Sequence, residues 1–227
     1  MSKTSPKILV AVAAHNPHPL FLESLDEFIS NIAHSNELIF IHGKTLVDAQ
    51  NEIAQDFLEG DYTHLLTLED DHWGHTPEML ESLLSFNKDI CGIKYYSRHY
   101  PYVCCQMDRG MSIISPKSGY RVVTITGFGM TLITRKAFTH LSEPYFRLND
   151  GTKGYATDKD FCSRLQEAGI QSYGCFDHCL THNGINEDTV EGLRNHHKNS
   201  LMNQRLKYEF MCMRERRHTK QEGELNG

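Results

Sequence analysis

A chain of 227 residues with 39% hydrophobic and 23% charged side chains is long enough to bury one substantial core and too apolar for intrinsic disorder. Its formal net charge of -6, with no basic stripe in the body of the chain, argues against gripping a nucleic-acid backbone, and no apolar run approaches the roughly 20 residues of a membrane span. Seven scattered cysteines read as reduced thiols rather than a disulfide framework. The polar segment Met1 to Lys7 lacks the apolar centre of a secretory signal, so the expectation is a cytoplasmic protein.

The first part of the chain alternates strand-like and helix-like runs, the order that a parallel sheet with crossover helices produces. Lys7 to Ala14 predicts a strand. Leu22, Leu25, Phe28, Ile29 and Ile32 fall near a 3.6 spacing and predict a helix laid on the sheet. Glu37 to Ile41 predicts the next strand, and a second helix carries Val47, Ile53, Ala54, Phe57 and Leu58 and stops near Gly60, a residue suited to a left-handed turn. His64 to Leu68 predicts a third strand, and Thr76 followed by Pro77 starts a helix, with the hydroxyl as cap and the proline where no amide donor is needed. That helix runs to about Phe86. Asp89 to Ile93 predicts a fourth strand, after which Lys94 to Tyr120 is irregular and aromatic. Arg121 to Ile125 and Met130 to Thr134 are strand-like, Thr157 to Ala168 predicts a helix closed by Gly169, and a further helix is expected beyond Thr189. The expected architecture is α/β, with a mixed, mostly parallel central sheet flanked by helices in one domain over residues 1–213, followed by a charged tail over residues 214–227.

Three constellations carry candidate chemistry. Glu69, Asp70 and Asp71 end an apolar strand, the place where open α/β sheets bind ligands. Three adjacent carboxylates repel one another unless a cation lies among them, and oxygen donors suit Mg²⁺ or Mn²⁺; the competing reading is a solvated acidic turn. In Thr157-Asp158-Lys159-Asp160, Thr157 and Asp160 match a capping box with Asp in place of Glu, which leaves Asp158 as a candidate general base, weak unless burial raises its pKa. The run Cys175 to His182 holds Cys175, His178, Cys179 and His182 within eight residues, too crowded for a structural zinc site that joins two ligand pairs across a loop. His182 alone is the better metal candidate, beside the alternative of a structural histidine. The stretch Tyr95 to Tyr102 reads equally as a ligand-facing wall and as a packed loop.

In order along the chain, these motifs together with Gly127-Phe128-Gly129-Met130 resemble the GT-A (Rossmann-like) fold of glycosyltransferase family 2 and its bacterial and phage relatives, over roughly Ile8 to Gly184. The resemblance implies that Asp70 meets the nucleotide ribose and that Asp71 and the late His182 hold the divalent metal, Mn²⁺ or Mg²⁺. Glu69 stands where the family's acidic motif often begins with Asp and is carried as a further metal candidate. It also implies that Ala14, His15 and Asn16, with Asp48 and Asn51, contact the nucleotide, and that Gly127, Phe128 and Gly129 lie close to the donor sugar. Asp158 takes the position of the family's catalytic base.

The activity so implied is transfer of a sugar from a nucleoside diphosphate donor to an acceptor hydroxyl of unknown identity, with inversion. A nucleotidyltransferase, a metal-dependent nuclease and a non-catalytic nucleotide-sugar binding module use overlapping residues. They are separated by pyrophosphate release, by salt-sensitive DNA binding and by donor-dependent stabilisation without turnover.

Overall fold

The computed structural model describes residues 5–97, 104, 118–148, 157–186, 188–190 and 192–193. The chain divides into two compact units, residues 1–187 and residues 188–227. In the second unit the described positions 188–190 and 192–193 are helical. The charged tail, residues 214–227, lies outside the described residues.

In the first unit the described residues form a seven-stranded sheet in the order β2-β1-β3-β7-β5-β8-β6. Its strands are β1 (Lys7–Ala14), β2 (Ser35–His42), β3 (His64–Leu68), β5 (Ile90–Lys94), β6 (Tyr120–Val123), β7 (Met130–Thr134) and β8 (Ser172–Cys179). β1 pairs in parallel with β2 and β3, and β5 with β8, whereas β7 runs antiparallel to β3 and β5 and β6 antiparallel to β8. Five strands therefore share one direction and two oppose it. A separate ribbon pairs β4 (His72–Trp73) with β9 (Thr181–His182) in antiparallel fashion.

The interior strands β1, β3, β5 and β7 bury both faces because they are largely apolar rather than alternating. From β1, Ile8, Val10, Val12 and Ala14 enter one core with Phe21, Leu25 and Phe28 of α1 (Pro19–Asn31) and Met79, Leu80 and Leu83 of α3 (Pro77–Phe86). Leu9 and Ala11 enter the other, with Ile53, Ala54 and Phe57 of α2 (Leu46–Glu59), Ala137 and Phe138 of the short α4 (Arg135–Phe138), and Phe161, Cys162 and Leu165 of α5 (Thr157–Glu167).

The helix ends follow the capping chemistry read from the chain. Thr76 accepts from the amide of Met79, with Pro77 in the first turn, and Gly169 takes a left-handed φ of 82° after α5. Gly60 corrects the expectation made for it: its φ of -76° is extended, and glycine is required there because a Cβ would overlap the ring of Tyr62. Thr157 is the first residue of α5 rather than its cap, and Asp160 pairs with Arg164 one turn on, at 2.8 Å.

The carboxyl end of α2 is closed by a residue 75 positions beyond it. Arg135 donates to the carbonyls of Phe57, Leu58, Gly60 and Tyr62 at 2.6 to 3.1 Å, and its guanidinium lies 5.0 Å from the centre of the Phe57 ring. A cation on the open carbonyls of a helix end is favoured by the helix dipole, and a charged hydrogen bond is worth about 1.5–3 kcal/mol. Arg135→Ala is expected to lower the unfolding free energy by about 3 kcal/mol, measured by urea titration; Arg135→Lys, which lacks the planar fork, should recover less than half of that loss.

Candidate functional site

The acidic triplet follows β3 directly, so the chain delivers Glu69, Asp70 and Asp71 to the rim where β1 and β3 end. Asp70 uses one oxygen, Oδ2, to accept the amides of His15 at 2.7 Å and Asn16 at 2.9 Å, while its carbonyl accepts from the amide of His18 at 2.9 Å. The loop from β1 to α1 and the acidic triplet are thereby one unit, with the His15 and Asn16 side chains exposed and Ala14 buried in the core.

The β4–β9 ribbon sets His72 directly opposite His182. Side chains opposite one another in an antiparallel pair stand side by side, and here the two imidazoles stack with centroids 4.2 Å apart and planes 8° from parallel. The Asp71 carboxylate reaches both. Oδ2 lies 3.2 Å from His182 Nε2 and Oδ1 lies 2.8 Å from His72 Nδ1. Asp71 and His182, 111 residues apart in sequence, meet as the sequence reading required.

The donor atoms of this group fit a cation. His182 Nδ1 lies 2.8 Å from the carbonyl oxygen of Tyr96, which can only accept, so Nδ1 carries the hydrogen and the neutral ring keeps its lone pair on Nε2. That lone pair is directed at the Asp71 oxygen 3.2 Å away, where either a proton on Nε2 or a cation between the two atoms would join them. His72 is completely buried; its Nδ1 lies 2.8 Å from Asp71 Oδ1, and neither ring nitrogen has a hydrogen-bond partner. Burial lowers the His72 pKa to about 4 against the opposing pull of Asp71, so the ring is neutral near pH 7 and free to act as a ligand. Burial raises the pKa of Asp71, but its contacts with His182 and His72 outweigh that effect and hold the carboxyl well below the usual range. Among the described residues, Asp71, His72 and His182 form the group that can hold a metal, their ligand atoms all within 4.8 Å of one another.

His72 was absent from the metal ligands read from sequence. A two-residue strand leaves no periodicity to read, and only its place right after Asp71 hints at the role. Glu69, proposed there as a ligand, falls outside the group; its carboxylate lies 3.6 Å from His72 Nδ1 and it lines a neighbouring recess. The remaining members of the Cys175 to His182 run disperse along β8. Cys175 is buried in the core, His178 bonds Ser82 of α3 at 2.8 Å, and Asp177 accepts the amide of Gly119.

The Tyr95 to Tyr102 stretch begins as a packed segment. Tyr95 and Tyr96 are each 5% exposed, and the Tyr95 ring meets His72 and His182 edge-on, at 4.3 and 5.5 Å between centroids. Residues 98–102 lie outside the described residues. The glycines before β7 serve this packing: a Cβ on Gly127 would overlap the Tyr95 hydroxyl, and one on Gly129 would stand 2.8 Å from the His72 ring. Close approach is needed here, but the neighbours are the chain's own Tyr95 and His72.

On the α2 side of the sheet, Ala11, Ala13, Gln50, Glu69, Phe128 and Phe146 border an open recess. Asn51 builds its wall rather than lining it, since its amide donates to the Phe146 carbonyl at 2.8 Å and accepts from the Phe146 amide at 3.0 Å. Asp48 is exposed and accepts the hydroxyl of Thr45, the cap of α2. Asp158 stands in the first turn of α5, half-buried, with one oxygen accepting the amide of Lys159 at 2.7 Å. Burial pushes its pKa up to about 6, against the lowering effect of the Lys159 amide and its own.

No protein-family model matches the sequence, and no curated protein does. Solved structures do. The chain is similar to A197 from STIV, with a TM-score of 0.54 at 17% identity, covering 74% of this chain and 81% of that one. It is also similar to the mannosyltransferase PcManGT from Pyrobaculum calidifontis, solved with GDP-Man and Mn²⁺, with a TM-score of 0.54 at 13% identity, covering 79% of this chain. The fold is of the GT-A type. A mycobacterial protein shares it, with a TM-score of 0.51 at 13% identity and coverage of 82% of this chain and 70% of that one. The chain spans 57% of the mannosyltransferase's length, and at these identities the likeness concerns the GT-A architecture alone. No helix among the described residues is long and apolar enough to cross a membrane.

Proposed function

We propose that this chain is a metal-dependent glycosyltransferase, similar to family 2 and its bacterial and phage relatives, that moves a sugar from a nucleoside diphosphate donor to an acceptor hydroxyl. The observation that carries the reading is the meeting of Asp71 with the lone-pair nitrogen of His182 at 3.2 Å, at the rim of a GT-A sheet. In this reading Asp71, His72 and His182 hold a divalent cation. Two imidazoles and one carboxylate favour Mn²⁺ over Mg²⁺, which prefers oxygen ligands and keeps its waters. When bound, the ion neutralises negative charge on the leaving diphosphate.

The chain's own residues do the rest. Asp70 keeps the β1–α1 loop closed against the acidic triplet through the His15 and Asn16 amides, so the rim is set before the donor arrives. Its second oxygen is the candidate partner for a ribose hydroxyl. Asp158 takes the proton of the acceptor hydroxyl as that oxygen attacks the anomeric carbon, and displacement from the face opposite the diphosphate inverts the centre. A carboxyl with a pKa of about 6 is a stronger base than an ordinary aspartate and is still mostly ionised at neutral pH.

The test is a screen of nucleotide sugars with and without Mn²⁺, reading thermal stabilisation and release of nucleoside diphosphate. Stabilisation that needs both nucleotide and metal is expected, since a ligand that binds only the folded state raises apparent stability. Pyrophosphate release from a nucleoside triphosphate would instead identify a nucleotidyltransferase, and stabilisation without turnover of any sugar would identify a binding module.

A further inference from the structure

His72 sits in a strand of only two residues, and the chain after it turns away toward the Thr76 cap of α3. Outside the β4–β9 ribbon, that short strand is braced by α1. The His18 ring, at the start of α1, stacks on Trp73 with centroids 4.6 Å apart and planes 20° from parallel. Further along the same helix, Ser24 Oγ accepts the amides of Gly74 and His75, each at 2.9 Å. Successive amides converge on one acceptor where the backbone passes through a left-handed conformation, which Gly74 adopts at a φ of 85°.

The Ser24 hydroxyl is fully committed to this turn. A hydroxyl has one hydrogen and two lone pairs; the two amides take the lone pairs, so the hydrogen goes to His75 Nδ1, 3.1 Å away. His75 can accept it because burial lowers its pKa to about 3 and keeps the ring neutral. The ring is itself fixed, 5% exposed, with the rings of Phe21 and Phe28 at 5.9 and 6.0 Å between centroids. A serine inside a helix ordinarily faces solvent or bonds back to the preceding turn, whereas these three contacts all leave α1. His72 stands two residues before Gly74, roughly 7 Å along an extended strand, so slack at Gly74 reaches the imidazole. A group of metal donors has to be held to about 0.5 Å by the packing and hydrogen bonds behind it.

We infer that Ser24 is a positioning residue for the ligand His72, its hydroxyl tying the Gly74-His75 turn to α1 so that the imidazole is held against Asp71 and His182. This inference rests on the reading of Asp71, His72 and His182 as a metal group. It extends that group to a helix that supplies no ligand, and it separates two kinds of contact on α1: Leu25 packs the core, whereas Ser24 sets the geometry of the site.

The experiment compares wild type with Ser24→Ala, Ser24→Thr and Leu25→Val, using Mn²⁺ alone as the probe. Free Mn²⁺ gives the affinity, pulsed electron paramagnetic resonance counts the imidazole nitrogens coupled to bound Mn²⁺, and thermal unfolding in chelator gives the stability without metal. Wild type is expected to show coupling to both imidazoles. Ser24→Ala should weaken Mn²⁺ about tenfold, the low end for partners outside the ligand shell, and lose one of the two couplings. Ser24→Thr, which keeps the hydroxyl, should restore both. Leu25→Val should lower the melting temperature while leaving affinity and couplings as in wild type. Ser24→Ala with wild-type affinity and both couplings overturns the inference. So does Leu25→Val that weakens Mn²⁺ as much as Ser24→Ala, since loosening of the helix would then explain the loss. Wild type that binds Mn²⁺ through a single imidazole overturns the inference and leaves the pairing of Asp71 with His182 standing; wild type that binds no Mn²⁺ overturns the metal reading with it.

Discussion

Asp71→Asn should cost at least ~100-fold in Mn²⁺ affinity, a loss larger than the 10–100-fold typical of outer partners of a metal ligand. The protein without metal should melt close to wild type. The physical reason is specific to this site. Asp71 Oδ2 and His182 Nε2 stand 3.2 Å apart; an Asn at 71 keeps a hydrogen-bond partner for the ring there and loses the negative charge that a divalent ion needs. Free Mn²⁺ counted by electron paramagnetic resonance reads the first effect and thermal unfolding in chelator reads the second. A variant that keeps Mn²⁺, or that loses several degrees of stability with no metal present, would show that Asp71 and His182 are a structural ion pair.

Asp158→Asn should lower the transfer rate by about 10²–10⁴, the usual worth of a positioned base, with nucleotide affinity unchanged. Its pH signature follows from the raised pKa. The base must be ionised, so the wild-type rate should fall as pH drops below about 6, rather than below the ordinary carboxylate range. Stability carries the opposite sign. The folded carboxyl holds its proton more tightly than the unfolded one, whose ordinary value is 3.8. The proton-bound state is therefore the favoured one, and stability contributed by Asp158 is full below pH 3.8 and declines as pH rises toward 6. The Asn variant escapes that decline, so its melting temperature should gain on wild type across this window. A rate profile with no acid limb near 6 would place the base elsewhere.

Much of the framework was legible because it is written in local chemistry. The apolar run Ile8 to Val12, the Thr76-Pro77 start of α3 and the Gly169 stop of α5 each carry their own physical cause. The sequence does not mark β8 as a strand: Gly174, Asp177 and His178 break its apolar pattern, and the crowding of Cys175, His178, Cys179 and His182 draws attention to a zinc reading that the spacing disfavours. In the fold its inward positions, Cys175 among them, reach the core, while Asp177 and His178 are taken up by Gly119 and Ser82. His72 was invisible for another reason: its role is created by a partner strand more than a hundred residues away. The resemblance puts Asn51 at the nucleotide and Gly127 and Gly129 near the donor sugar, and in the fold their nearest neighbours are Phe146, Tyr95 and His72. Motif position located the neighbourhood, and only tertiary geometry could separate residues facing a ligand from those that shape the cavity around it.

The two-residue ribbon that brings His182 to Asp71 has a bearing on how the molecule matures. His182 is the last of the three candidate ligands in the chain and stands beside Asp71 through the pairing of β9 with β4, and closing so long a stretch of chain has an entropic cost. Cation affinity would then be low in any nascent or clipped chain ending before residue 182 and would rise sharply once the final strands dock. In the proposed reading, ion capture would thus mark completion of assembly.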